Sequence, residues 1–304
     1  MVKFFDRVLF WYRNSRPYTI PITFLSWLVV FVYSLKFNGN ILYGIISYFG
    51  IAIVHLVTNL ADDYFDFVRL SKDKSFILSA KDSKCRYLKQ GLCNLNELKN
   101  VILYMLFAAA LIGVYLFFAA GKYVFIFALI ALFIAIFYSK LSSCGLGDIA
   151  VIIAYGPLMY EGVFYVMTSK FSFELIILSF ACALFVNSIL YSSMILDYDE
   201  DYTCGKLTLC TRLKSKNKAL FFLFILYIFG FSFTINYSIL SNNMYCFVSL
   251  LIFPLIVDLI KSINLYNKDK SFLPKIHFWN YPLDNWAEIK NDVCAPYFLR
   301  FFYT

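Results

Sequence analysis

The sequence predicts an all-α polytopic membrane protein, and three observations carry that prediction. Of its 304 residues 61% are hydrophobic and only 15% are charged, whereas soluble domains are about 25% charged. The mean hydropathy is +0.71, and eight long apolar stretches recur along the chain, as spanning helices require. The basic residues are also segregated: 24 of the 27 Lys and Arg fall in alternate connections, leaving Lys36, Lys122 and Lys170 for the others. That asymmetry orients a bundle with its N-terminus and its long basic loops in the cytoplasm.

The spans are predicted near 19–36, 41–60, 100–120, 123–138, 148–168, 174–196, 219–240 and 244–264. The first 19 residues carry Lys3, Arg7, Arg13 and Arg16 without the apolar core of a cleaved signal, so the first apolar run is read as a retained span. Residues 1–265 form one transmembrane domain, and 266–304 are a polar, aromatic tail whose last apolar run, Cys294–Tyr303, is too short to span; it reads as interfacial. The 35 Phe and 24 Tyr supply lipid-facing bulk and interface belts. Eight cysteines are scattered without a C-x-x-C pair, and the net charge of +8 follows topology rather than a nucleic-acid arm.

The second span ends on His55-Leu-Val-Thr-Asn59-Leu-Ala-Asp62-Asp63-Tyr-Phe-Asp66. On a helix Asn59, Asp63 and Asp66 share one face, and Asp62 and Asp66 form a second pair one turn apart. Like charges at that spacing repel, and an Asp at membrane depth costs up to about 3 kcal/mol. With no adjacent basic partner, the cluster predicts a bound cation. A second cluster, Asp197-Tyr-Asp199-Glu200-Asp201, ends the sixth span, again with two acids at i, i+4. Paired carboxylate clusters suit Mg²⁺, which takes one or two carboxylates per ion together with substrate phosphates and water.

Basic residues follow each cluster. Arg69, Lys72, Lys74, Lys81, Lys84, Arg86 and Lys89 succeed the first; Lys206 and Arg212 succeed the second. Such segments bind anionic head groups, or face an anionic substrate held by the metal. Tyr155-Gly156-Pro157 kinks the fifth span. Glu161 beyond it is an acceptor-contacting acid or a structurally paired one, and His55 is a cavity-facing or a satisfied interior histidine. An ion-coupled transporter is the competing class, although it calls for acids near the midplane.

In combination the motifs resemble the UbiA superfamily of intramembrane prenyltransferases, and within it the branch that prenylates 1,4-dihydroxy-2-naphthoate. Asn59-Leu-Ala-Asp-Asp-Tyr-Phe-Asp66 is similar to that branch's N-L-A-x-D-Y-x-D, and Arg16-Pro-Tyr-Thr-Ile-Pro21 to its R-P-x-T-x-P. Arg86-Tyr-Leu-Lys-Gln-Gly91 resembles R-P-L-x-x-G with Tyr87 for proline. Gly145-Leu-Gly-Asp148, Tyr155-Gly-Pro157 and Asp197-x-x-x-Asp201 with Gly205-Lys206 and Arg212 complete the series. Ser192-Ser193-Met194 departs from the Asn-rich approach of many relatives, and the family usually has nine spans.

The resemblance implies a helical bundle with a cytoplasmic-side active site. Asp63, Asp66, Asp197 and Asp201, helped by Asn59 and with Asp62 as the alternative first ligand, hold two Mg²⁺ on the diphosphate of an allylic polyprenyl donor. Arg86, Lys206 and Arg212 take up leaving-group charge. Tyr138 and Lys140, with Glu161, are expected acceptor contacts. The partners implied are the polyprenyl diphosphate, a small aromatic acceptor and the bilayer, with no nucleic acid. Other acceptors, such as 4-hydroxybenzoate, homogentisate, haem, a glycerol phosphate or a phosphosugar, remain open alternatives.

Overall fold

The computed structural model describes residues 2–71, 85–203 and 207–272. Within them the chain is helical: α1 Val2–Asn14, a 3₁₀ turn Pro17–Thr19, α2 Ile20–Leu35, α3 Ile41–Leu70, the short α4 Arg86–Lys89, α5 Leu95–Ala120 and α6 Tyr123–Ser143. There follow α7 Gly147–Ile153, a π-helical segment Ala154–Leu158, α8 Met159–Thr168, α9 Phe173–Leu196, the short α10 Tyr198–Thr203 and α11 Leu209–Arg212, and α12 Lys216–Leu240. A 3₁₀ stretch Met244–Ile252 leads into α13 Phe253–Lys268. Among the described residues, eight helices or continuous helical runs are long and apolar enough to cross a membrane, one at each predicted position. The expected eight-span bundle is therefore the fold.

The boundaries differ for identifiable reasons. α3 is 30 residues long, about 45 Å at 1.5 Å per residue, and carries the first acidic cluster within its regular helix instead of stopping at residue 60. The connection after it starts at Ser71, and Lys99 already belongs to α5. Asn94 begins α5, its side chain accepting from the Glu97 N–H at 2.8 Å, an N-cap that polarity had disguised as loop. The last span opens as 3₁₀ helix over Met244–Ile252, and Pro254 sits in the first turn of α13, where its missing amide hydrogen is tolerated. α13 runs to Lys268, three residues past the expected domain edge at 265. Residues 273–304, most of the expected tail, lie outside the described residues.

The chain divides into two compact units, Met1–Leu141 with Ile153–Ile176, and Ser142–Ile152 with Ile177–Thr304. In the first, α3 packs along α5, and α2 against α3 and α8. Gly44 makes the approach of these helices possible: a Cβ there would lie 2.7 Å from the Phe31 ring and 2.8 Å from the Met167 sulfur, and small residues allow spanning helices to come this close. Trp27 Nε1 donates to the buried Gly44 carbonyl at 3.1 Å. The N-terminal helix was not read from the sequence. It buries Trp11 among Leu60, Tyr87, Leu88, Cys93 and Leu98, and its Arg7 pairs with Glu97 at 2.6 Å while capping the Phe10 ring at 5.1 Å. Phe5, Val8, Leu9 and Tyr12 remain exposed, which gives the helix an apolar outer side.

The second unit gathers Tyr191, Ile195, Leu220, Leu223, Leu259, Ile263 and Tyr266 into one core. α12 packs on the 3₁₀ stretch and on α13.

Candidate active site

In the first unit, one helical turn of α3 presents Asp62, Asp63 and Asp66, all buried. Contrary to the expected lack of basic partners, two arginines reach them. Arg16, from the turn before α2, binds Asp63 through Nη2 and stands 3.8 Å from Asp62. Arg69 binds Asp66 at 2.8 Å. Burial alone would lower the Arg16 pKa, but the charges of Asp63 and Asp62 outweigh it and raise it above the ordinary value. Arg16 is absent from the sequence-predicted site; the R-P-x-T-x-P motif, and nothing in the spacing, marks it.

Two hydroxyls also reach the cluster. Tyr87 Oη donates to Asp63 at 3.1 Å, and Ser139 Oγ donates to Asp66 at 3.1 Å. Burial and the Asp63 charge raise the Tyr87 pKa, so it stays a protonated donor. Tyr87 is the residue that replaces the family's proline. The Cys85 thiol donates to the Asp63 carbonyl at 3.2 Å. Arg16 and Cys85, which bring these partners in, both have left-handed backbones (φ 59° and 64°), the kind of local strain that collects at functional sites.

Of the remaining expected residues, Arg86 is exposed beside inward-facing Tyr87, and Tyr138 and Lys140 flank the Ser139 that bonds Asp66. Glu161 is elsewhere: its Oε2 accepts from the Ser172 N–H at 3.3 Å, next to the start of α9, where a carboxylate stabilises the helix N-terminus. That favours its structural reading over the acceptor-contact one. Lys206 lies outside the described residues, as do Lys72, Lys74, Lys81 and Lys84.

In the second unit Asp197 and Asp201 are successive turns of one helical path, with the Asp201 N–H donating to the Asp197 carbonyl at 2.9 Å. Asp199 points elsewhere and takes Lys216 at 2.5 Å and Lys270 at 3.3 Å. The hydrogen bond from Lys216 leads the causes that hold its carboxyl below the usual range. Asp148 of the Gly-Leu-Gly-Asp motif accepts from Asn187 at 3.1 Å, fixing α7 on α9. Cys210 is fully buried, and burial pushes its thiol up to about 12, so it is chemically inert. Arg212 is exposed, and its Nε donates to the Leu207 carbonyl at 3.2 Å.

Gly145 holds the space Arg212 uses: its φ is +74°, and a Cβ there would lie 2.6 Å from Arg212 Nε. Gly145→Ala is expected to cost about 1–2 kcal/mol from the left-handed backbone and to displace the guanidinium. Donor KM should rise with acceptor KM unchanged; equal KM values for donor in the variant and the parent would separate Arg212 from donor binding.

Among the described residues, no group of three or more His, Cys, Asp or Glu side chains forms a ready metal site. The donor chemistry nevertheless fits Mg²⁺, since hard carboxylate and amide oxygens are present and that ion completes its octahedron with water and phosphate.

Fold and site together define an integral, multi-pass membrane protein with carboxylates buried in its helices. The chain belongs to the UbiA prenyltransferase family, whose pattern matches residues 27–281, and it is a prenyltransferase. The 1,4-dihydroxy-2-naphthoate octaprenyltransferase of Haemophilus influenzae is 26% identical over 226 residues, 68% of this chain and 70% of that one. Its Escherichia coli counterpart is 27% identical over 224 residues, 70% and 71% of the two chains. Among solved structures, a UbiA homologue from Archaeoglobus fulgidus bound to DMAPP and Mg²⁺ matches with a TM-score of 0.62 at 14% identity, over 96% of this chain and 97% of that one. Digeranylgeranylglyceryl phosphate synthase matches with a TM-score of 0.56 at 19% identity, over 87% and 89%.

Proposed function

We propose that the protein transfers a polyprenyl group from an allylic diphosphate to 1,4-dihydroxy-2-naphthoate, with decarboxylation to a demethylmenaquinol. The observation that carries the reaction class is the buried Asp62–Asp63–Asp66 turn at the end of a membrane span. The acceptor is supported by the N-L-A-x-D-Y-x-D sequence and by likeness to the two octaprenyltransferases.

Asn59, Asp66 and either Asp62 or Asp63 would hold one Mg²⁺, and Asp197 with Asp201 another. Bound Mg²⁺ supplies neutralisation of diphosphate charge as the allylic C–O bond breaks. Arg16 and Arg69 orient the buried carboxylates through their hydrogen bonds to Asp63 and Asp66. Exposed Arg86 and Arg212, together with Lys206, offer N–H donors for the departing diphosphate. Tyr138 and Lys140 would orient the acceptor beside Asp66. Its electron-rich ring captures the allylic cation at the carboxyl-bearing carbon, and departure of CO₂ restores aromaticity. The isoprenoid tail stays in apolar surroundings while the charged end remains at the proposed cytoplasmic boundary, where the basic connections lie.

The deciding experiment offers 1,4-dihydroxy-2-naphthoate and 4-hydroxybenzoate in competition for one polyprenyl diphosphate, with products identified by mass. The expected product is the decarboxylated naphthoquinol adduct. Exclusive prenylation of 4-hydroxybenzoate would remove the acceptor assignment and leave the prenyltransferase intact.

A further inference from the structure

One turn before Asn59, His55 joins three parts of the first unit. Its Nε2 is 2.8 Å from Thr19 Oγ1; its Nδ1 contacts Thr23 Oγ1 and lies 2.8 Å from Tyr155 Oη. The two hydroxyls are themselves 3.0 Å apart. Tyr155 belongs to the π-helical segment in which Gly156 leaves helical geometry (φ −102°, ψ −118°), a distortion common at functional sites.

Proton directions follow from groups that can only accept. Thr19 donates its hydroxyl proton to the Arg16 carbonyl at 2.8 Å, so its oxygen accepts from everything else near it. It therefore accepts from His55 Nε2–H, and from Asn59 Nδ2 at 3.3 Å. Asn59 Nδ2 also donates to the Ser15 carbonyl at 2.9 Å. His55 is thus the Nε2–H tautomer, with Nδ1 accepting from the Thr23–Tyr155 hydroxyl pair. Both Asn59 amide hydrogens are committed to the Ser15–Thr19 turn. Its carbonyl oxygen is accordingly directed away from these two acceptors, on a residue one helical turn before Asp62 and Asp63.

We propose that His55 is a positioning residue which, through Thr19, sets the amide orientation of Asn59 and so presents the Asn59 oxygen as a ligand to the divalent cation. The same Thr19 bond holds the carbonyl of Arg16, so one imidazole steadies both the amide ligand and the residue paired with Asp63. The inference rests on the proposed metal reading. It adds a residue that touches neither metal nor substrate, in the way that partners of ligands govern metal affinity elsewhere.

The test is Mn²⁺ affinity of the purified protein, read by electron paramagnetic resonance of the free ion, beside thermal unfolding of each variant. His55→Leu is expected to weaken Mn²⁺ binding by about 10–100-fold. His55→Gln, whose side chain keeps an N–H for Thr19, should recover most of that loss. Thr19→Val provides an independent break of the same link, and combining it with His55→Leu should give no further loss. Parental affinity in folded His55→Leu overturns the inference alone. So does a loss in the two single variants that adds fully in the double. No Mn²⁺ binding by the parent protein overturns the metal reading and this inference with it.

Discussion

Asp63→Asn is expected to lower kcat for prenyl transfer by at least about a hundredfold, and Asp197→Asn by a similar factor, the scale of losing one electrostatic element of a transition-state site. Asparagine preserves the shape and an oxygen but removes the charge. Asp63 is buried on α3, where solvent cannot replace what is lost. Chelation with EDTA should abolish turnover, and Mg²⁺ or Mn²⁺ should restore it. Full activity in chelator would refute the metal reading, and an active Asp63→Asn protein would transfer the first ligand role to Asp62.

The second large effect concerns stability. Arg16→Ala leaves Asp63, with a side chain only 3% exposed, without its guanidinium. Removing one partner of a buried pair costs about 3–5 kcal/mol, and the 23% exposure of Arg16 places the loss near the lower end. Thermal unfolding of the detergent-solubilised variant should fall accordingly, and Mg²⁺ should recover part of it by supplying another cation. The Arg16→Ala/Asp63→Asn pair should be more stable than Arg16→Ala alone, because the charge at Asp63 that Arg16 compensates is removed with it. A double variant no more stable than the single one would show that Arg16 contributes packing instead of charge.

The spans were legible because a bilayer imposes one demand, about 20 apolar residues with all backbone groups satisfied internally. The amphipathic α1 was not, since Trp11 and Phe10 alternate with arginines and no local rule says that Trp11 packs on Tyr87. The carboxylate face of α3 was legible from i, i+4 spacing. Its counter-charge was not: Arg16 lies 47 residues from Asp63, and Ser139 lies 73 from Asp66. Periodicity describes one helix, whereas pairing depends on which helices meet. His55 illustrates the same limit. Its satisfied state was read correctly, but the proton directions needed Thr19, Thr23 and Tyr155, brought together from three segments. For Glu161 the support for the structural reading comes from Ser172, which no spacing rule places beside it.

The phenol of Tyr87 on Asp63 has a wider consequence. A hydroxyl donor draws electron density from the carboxylate it touches, making it a poorer Lewis base. A proline at this position would supply no such donor. Position 87 opens α4 with Arg86, where a proline ring is sterically tolerated, so the two residues are interchangeable in backbone terms. Under the metal reading, Tyr87→Pro would therefore be expected to lower the free Mg²⁺ concentration needed for half-maximal turnover, without altering any ligand; an unchanged requirement would show that the phenol does not tune Asp63.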